Sequence, residues 1–141
     1  MQLTPHFTLA EFTKSGTAAR KGIDNTPPQS FEAKLKGLAE VLETIRAEFG
    51  GRPLTINSGF RCRALNDAIG GATYSEHLMG CAADFEIIGV DNREVYLWIV
   101  NDSKIDFSQC FLEHYQDGGD PNSGWIHLAI PCPTRHTGRI G

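Results

Sequence analysis

Residues 75–87 read Ser75-Glu76-His77-Leu78-Met79-Gly80-Cys81-Ala82-Ala83-Asp84-Phe85-Glu86-Ile87. The second half, from Cys81 to Ile87, has the short apolar character of a strand, and the first half is a loop feeding into it. His77 precedes Asp84 by seven positions, too far for adjacent turns of one short helix. A loop running into a strand can still bring both side chains to one point: Gly80 permits a close bend, and Ala82 and Ala83 leave room beside the chain.

Downstream, Trp125-Ile126-His127-Leu128-Ala129-Ile130 alternates with period two. Ile126, Leu128 and Ile130 then face one side of a sheet, and Trp125, His127 and Ala129 the other. Residues 108–113 form a further candidate strand, in which Phe111 and Glu113 share a face. The link 114–124 is rich in Gly, Asp, Asn and Pro, so the two strands are read as an antiparallel pair with a long connection. Pairing of this kind would let Glu113 point into the same cavity as His127, although a one-residue slip would reverse the face.

Upstream, Leu54-Thr55-Ile56-Asn57-Ser58 alternates as a short strand, Gly59-Phe60-Arg61 turns out of it, and 62–69 suits a two-turn helix ended by Gly70-Gly71. Arg61 thus sits at a strand-to-helix corner. Phe31, Leu35, Leu38, Leu42, Ile45 and Phe49 recur at helical spacing over 30–49, with Ser30 as N-cap. Asp91 and Glu94 suggest a capping box for a helix through Val100. Residues 1–29 mix turn formers with isolated Phe7, Leu9 and Phe12 and read as a wrapping arm with at most one short helix. Helices early and in the middle, strands central and late, and no regular β-α alternation predict an α+β domain: a central antiparallel sheet with flanking helices. One such domain accounts for all 141 residues.

The charge balance is 13 basic against 17 acidic residues, net −4, with Lys and Arg dispersed. That argues against a nucleic-acid surface. No stretch is long and apolar enough to span a bilayer, and Met1 to Phe7 lack the form of a secretory signal, which predicts synthesis in the cytoplasm. Cysteines stand at 62, 81, 110 and 132 without a Cys-x-x-Cys pair. Free thiols are the default expectation, and Cys62 with Cys81 is the first pair to test.

Two imidazoles and one carboxylate are what a catalytic zinc takes from its protein, with a fourth position left for water. His77, Asp84 and His127 supply that set, and each also has an ordinary alternative as a core histidine or a capping acid. Glu86 shares the strand face of Asp84, and Met79 is too soft a donor for such a site. His6 and His136 are read as surface residues.

Ser75-x-His77-x-x-Gly80-x-Ala82-x-Asp84, Trp125-Ile126-His127 and Ser58-Gly59-Phe60-Arg61 together resemble the zinc D-alanyl-D-alanine carboxypeptidase family. The likeness is nearest its compact, phage-associated cell-wall branch, and the family is related in fold to the hedgehog zinc domain. It runs from Thr4-Pro5-His6-Phe7-Thr8 to the His127 strand. The resemblance implies one Zn2+ held by His77, Asp84 and His127, with Glu113 as catalytic carboxylate. It implies that Arg61 binds or polarises a substrate carbonyl or carboxylate and that Ser75 supports the site by a hydrogen bond. Between Glu113 and His127 the link is longer than the family's short turn, which leaves His114 as a competitor for general acid or supporting contact. Tyr74 and Trp125 are candidates for the wall of a peptide groove.

The expected activity is hydrolysis of bacterial peptidoglycan peptides, preferably as an L-alanyl-D-glutamate endopeptidase, with D-alanyl-D-alanine carboxypeptidase as the alternative. A third reading is a non-catalytic wall-binding or virion domain that zinc only stabilises. A monomer suffices for such a hydrolase. Reaching the wall without a signal peptide would require holin-dependent release or carriage in a phage particle.

Overall fold

The computed structural model describes residues 1–131. Cys132 and His136 lie outside the described residues. The chain has a mixed α+β fold whose centre is a four-stranded sheet of β3 (Leu54–Ser58), β4 (Ala82–Ile87), β5 (Gln109–Glu113) and β6 (Trp125–Ala129). Their spatial order is β3-β4-β6-β5, and every neighbouring pair is antiparallel.

Period-two alternation divides the sheet into two faces. Ile56, Phe85, Ile87, Ile126, Leu128 and Cys110 enter the hydrophobic core with Leu35, Leu38, Leu42 and Ile45 of α3 (Glu32–Glu48). Asp84 and His127 belong to the opposite phase and are Cα partners across β4 and β6. In β3 the register shifts between Ile56 and Ser58, so Ile56 pairs with core residue Phe85 whereas Ser58 pairs with Asp84. The extra residue turns Ser58 toward the polar face, a use of a β-bulge that strand alternation alone would miss.

The helix expected over 30–49 forms, but it opens with a 3-10 turn, Gln29–Phe31, and Ser30 does not cap it. The first turn's Phe31 N–H donates instead to the Pro28 carbonyl. α4 (Arg63–Ala68) occupies the expected 62–69 segment. α5 (Asn92–Leu97) continues into a π turn, Trp98–Asp102. Asp91 caps α5 through the Arg93 N–H, without the reciprocal Glu94 contact of a capping box.

The N-terminal arm is richer than expected. It contains a strand pair, β1 (Gln2–Thr4) and β2 (Phe7–Thr8), followed by two helices, α1 (Leu9–Thr13) and α2 (Gly16–Lys21). Such short elements are below the length at which periodicity carries information. Leu3, Phe7 and Phe12 anchor the arm in the same core as the sheet. Asn25 then ties it to the corner that carries Arg61: its Nδ2 donates to the carbonyls of Thr13 (2.9 Å) and Phe60 (3.0 Å), and its Oδ1 accepts from the Cys62 N–H (2.8 Å). Asn25 is buried, so Asn25→Ala strands three backbone groups and should lower stability by about 2–3 kcal/mol in denaturant unfolding.

Cys62 and Cys81, the pair singled out for testing, are not bonded to each other. Cys62 and Cys110 are free thiols, and Cys81 is disulfide-bonded, so the default of free thiols holds for only part of the set. Burial raises the Cys110 thiol pKa to about 12, consistent with an inert core position. Among the described residues no helix is long and apolar enough to cross a membrane.

Candidate metal centre

His77, Asp84 and His127 come together from three elements, and each offers a ligand atom within 4.8 Å of the others. β4 and β6 supply Asp84 and His127 from opposed positions. His77 comes from a 3-10 turn, Glu76–Met79, which Ser75 caps by accepting the His77 backbone N–H at 3.1 Å. Gly80 closes this turn in the left-handed conformation and leads into β4. The sequence-level bend between His77 and Asp84 is therefore a short helix and a glycine, not an extended loop.

The ring orientations fit a metal centre. His77 Nδ1 lies 2.7 Å from the Gly59 carbonyl, which leaves Nε2 facing Asp84 Oδ1 at 3.3 Å. His127 Nδ1 lies 2.8 Å from the same Asp84 Oδ1, and its Nε2 lies 3.0 Å from Gln109 Oε1. Each histidine thus turns one nitrogen toward the centre and anchors the other on an oxygen, the arrangement that orients ligating imidazoles. The ring centroids are 5.2 Å apart. Two nitrogens and one oxygen form a donor set suited to zinc, and the group has three members among the described residues, one fewer than closed structural zinc sites.

Arg61 stands beside the cluster with Nη2 at 3.5 Å from Asp84 Oδ2. Its Nε donates to the bulge residue Ser58 (Oγ, 3.1 Å) and its Nη1 to Asn66 Oδ1 (3.3 Å), so the guanidinium is held on three sides. Burial lowers the Arg61 pKa, and the charges of Asp84 and Glu113 oppose that effect. Burial of Asp84 pushes its own carboxyl up, but hydrogen bonds and charge from His127 and His77 outweigh this and hold it below the usual carboxylate range.

Glu113 pairs with Trp125, and Phe111 pairs with His127, in the β5–β6 ladder. Glu113 therefore shares the face of His127, one step along the strand, and stands outside the three-residue ligand group. His114 leaves the strand with a positive φ of 55°, is exposed, and stacks its ring on Trp125 at 4.7 Å. Trp125 is half-buried, and its Nε1 is buried without a partner among the described residues. Tyr74 is exposed at the edge of a small cleft of about 80 Å³ that Arg63, Ser75 and Met79 also line. Glu86 is bonded by Asn57 Nδ2 at 3.1 Å and is not in the ligand group. His6 is drawn to Glu43 at 2.7 Å, away from the centre.

Two residues escaped the sequence reading. Gln109, at the start of β5, reaches His127 Nε2; of the acceptors the sequence offered for the outer ring nitrogens, Ser75, Glu76, Asp67 or a backbone carbonyl, a carbonyl is found at His77, that of Gly59. Asp67 instead pairs with Arg63 at 3.7 Å, and Ser75 supports the His77 backbone rather than its ring. Phe111 is exposed and stacks on His127 at 5.7 Å with an interplanar angle of 13°. Alternation places both side chains on the His127 face, but only the pairing register shows which of them touch the ring.

A family model for peptidase M15 matches residues 5–128. The chain belongs to the peptidase M15 family. The match takes in the arm from Pro5 onward, the sheet as far as Leu128 and all three ligand candidates of this M15 chain. A zinc D-Ala-D-Ala carboxypeptidase from Streptomyces albus G is 44% identical to it over 43 residues, 30% of this chain. The match covers 17% of the length of that relative.

Proposed function

We propose that this M15 chain is a zinc-dependent peptidase acting on the stem peptides of bacterial peptidoglycan, as one catalytic domain. The observation that carries the reading is the convergence of His77 Nε2 and His127 Nδ1 on Asp84 Oδ1, with the outer nitrogens anchored on oxygens. The likeness to a zinc D-Ala-D-Ala carboxypeptidase moves the preferred reaction from the endopeptidase expected from sequence to release of terminal D-alanine. The wall would be reached through a holin lesion or in a virion, by a monomer, and the kinship in fold to the hedgehog zinc domain belongs to the same proposal.

His77, Asp84 and His127 hold the ion in this reading. When bound, zinc supplies acidification of a water molecule and polarisation of the scissile carbonyl. Glu113, on the His127 face, takes the water proton on its carboxylate and passes it to the leaving amine. Arg61, locked by Ser58, Asn66 and Asp84, presents a fixed cation to the carbonyl oxygen as negative charge develops there. His114 and Trp125 stack into one aromatic wall, and Tyr74, exposed at the edge of its own cleft beside Ser75, is the candidate for a second peptide contact.

The test is to incubate zinc-loaded protein with a stem pentapeptide and with purified peptidoglycan, and to identify the products by mass spectrometry. Free D-alanine supports the carboxypeptidase; new L-alanine carboxyl and D-glutamate amino ends would move the assignment to the endopeptidase. A folded, zinc-loaded protein that cleaves neither substrate leaves the non-catalytic wall-binding reading in place. Glu113→Gln should reduce turnover by about 100- to 10,000-fold while zinc content stays at the wild-type level.

A further inference from the structure

The link 114–124 is rich in Gly, Asp, Asn and Pro, which gives it little stiffness of its own, yet Glu113 stands at one end of it and Trp125 at the other. A carboxylate that relays a proton must stay within hydrogen-bond reach of its target, and a misplacement of about 1 Å can cost about 100-fold in rate. The link therefore needs an external hold.

Three consecutive residues at the start of α5 reach it. The Tyr115 hydroxyl donates to the Asp91 carboxylate, 3.0 Å from Oδ1 and 3.2 Å from Oδ2. Arg93 Nη1 lies 3.3 Å from Asp117 Oδ1. Between these two contacts, the Asn92 N–H donates to the Pro121 carbonyl at 3.0 Å, and Asn92 Nδ2 donates to the carbonyls of Ser123 (3.0 Å) and Gly124 (3.3 Å). Asn92 is fully buried, and its Oδ1 has no partner among the described residues. Turning the amide over would set that oxygen against two carbonyls, so the side-chain NH2 is committed to the link. The Arg93–Asp117 pair is exposed and contributes little, whereas the Asn92 bonds are sheltered from water.

The hold reaches Glu113 through Gly124. The Gly124 backbone lies so close to the Glu113 carbonyl and to the backbone of His114 and Tyr115 that no Cβ fits between them. Glu113 is also the ladder partner of Trp125, the next residue. Residues 121–124, fixed by Asn92, thus form the seat on which the last residue of β5 rests.

We infer that Asn92, backed by the Tyr115–Asp91 bond, is a positioning residue for Glu113: it fixes the link so that the carboxylate is held at the reacting centre. The inference rests on the reading of this chain as a zinc peptidase with Glu113 as its proton carrier. It gives Asn92 no contact with substrate or metal.

The test is a double-mutant cycle of Asn92→Ala and Glu113→Gln in the full, zinc-loaded chain, with kcat and KM measured on a stem pentapeptide and zinc affinity by competition with a chelator. Asn92→Ala should lower kcat about 100-fold, with a smaller change in KM and zinc affinity unchanged. In the Glu113→Gln background the same substitution should cost no further turnover, since no carboxylate remains to be misplaced. A purely structural loss would reappear there in full. Tyr115→Phe, which removes a single hydroxyl, should lower kcat by a smaller factor, again only where Glu113 is present, and Arg93→Ala should leave it unchanged. Equal losses in both backgrounds, or wild-type kcat in folded Asn92→Ala, overturn the inference and leave the peptidase reading standing. Should Asn92→Ala not fold, Tyr115→Phe decides by the same comparison. A Glu113→Gln variant as active as wild type, or a wild type that takes up no zinc, overturns the reading of the site itself, and the inference with it.

Discussion

Asp84→Asn is expected to leave a folded protein that holds no zinc and cleaves no stem peptide. Oδ1 of Asp84 is the common point of the cluster, 3.3 Å from His77 Nε2 and 2.8 Å from His127 Nδ1, and Oδ2 faces Arg61 at 3.5 Å. The amide has nearly the same shape but no charge, so the loss falls on the ion rather than on packing. It should exceed the roughly 10- to 100-fold that outer partners of a metal site carry. Metal analysis after dialysis checks it, and stoichiometric zinc in the Asn variant would contradict the ligand assignment.

The same substitution has a signature in the zinc-free protein. Asp84 has a folded pKa below its usual 3.8, so its ionised form stabilises the fold. That contribution is complete above the unfolded pKa and is lost as the pH falls through the depressed folded value. Wild type should therefore lead Asp84→Asn in stability at neutral pH, and the gap should close as acid is added below the usual carboxylate range. Unfolding in denaturant across that range measures it; a gap that widens in acid would contradict the sign.

Gly124→Ala is expected to have the largest effect on stability. Gly124 has φ +69°, and a Cβ there would lie 2.0 Å from the Glu113 carbonyl oxygen and 2.7 Å from the His114 carbonyl carbon. Both are backbone atoms that cannot rotate away. A left-handed residue with a Cβ costs about 1–2 kcal/mol by itself, and relief of the clash must spread the β5–β6 ends. Gly118, at φ +81° with nothing within 4 Å of a new Cβ, provides the control. Gly118→Ala should show the conformational cost alone, whereas Gly124→Ala should melt well below it. Because the spread falls at the Glu113–Trp125 end of the ladder, one step short of the Phe111–His127 pair, and His77 and Asp84 lie on the 3-10 turn and β4, turnover should fall further than zinc affinity. Equal melting temperatures for the two variants would refute this account.

The site was legible in unequal parts. His127 was readable because Ile126 and Leu128 flank it with period two, and a strand has only two faces. Glu113 followed from the same rule once β5 and β6 paired without a slip. Ser58 was not readable in this way: it is in phase with Leu54 and Ile56, and only the bulge before it brings it across to Arg61. Gln109 was hidden for a related reason, since its reach to His127 is diagonal and depends on the register and on Ala129 being small. Free thiols, the default expectation, hold for Cys62 and Cys110 but not for Cys81, because residue types along a chain carry no distance between two sulfur atoms.

The resemblance of the motifs picked out His77, Asp84 and His127 as candidate donors; short-range pattern was sufficient for the α+β class, the core stripe of α3 and the strand face that carries His127. These depend on residue chemistry and on helical or strand periodicity, which are local. Packing in three dimensions was responsible for the common focus of two imidazoles on one carboxylate oxygen, for the three-sided grip on Arg61, and for the amide behind His127. These are contacts between segments far apart in the chain, and their distances are set by register, a bulge and a buried asparagine latch rather than by any spacing along the backbone.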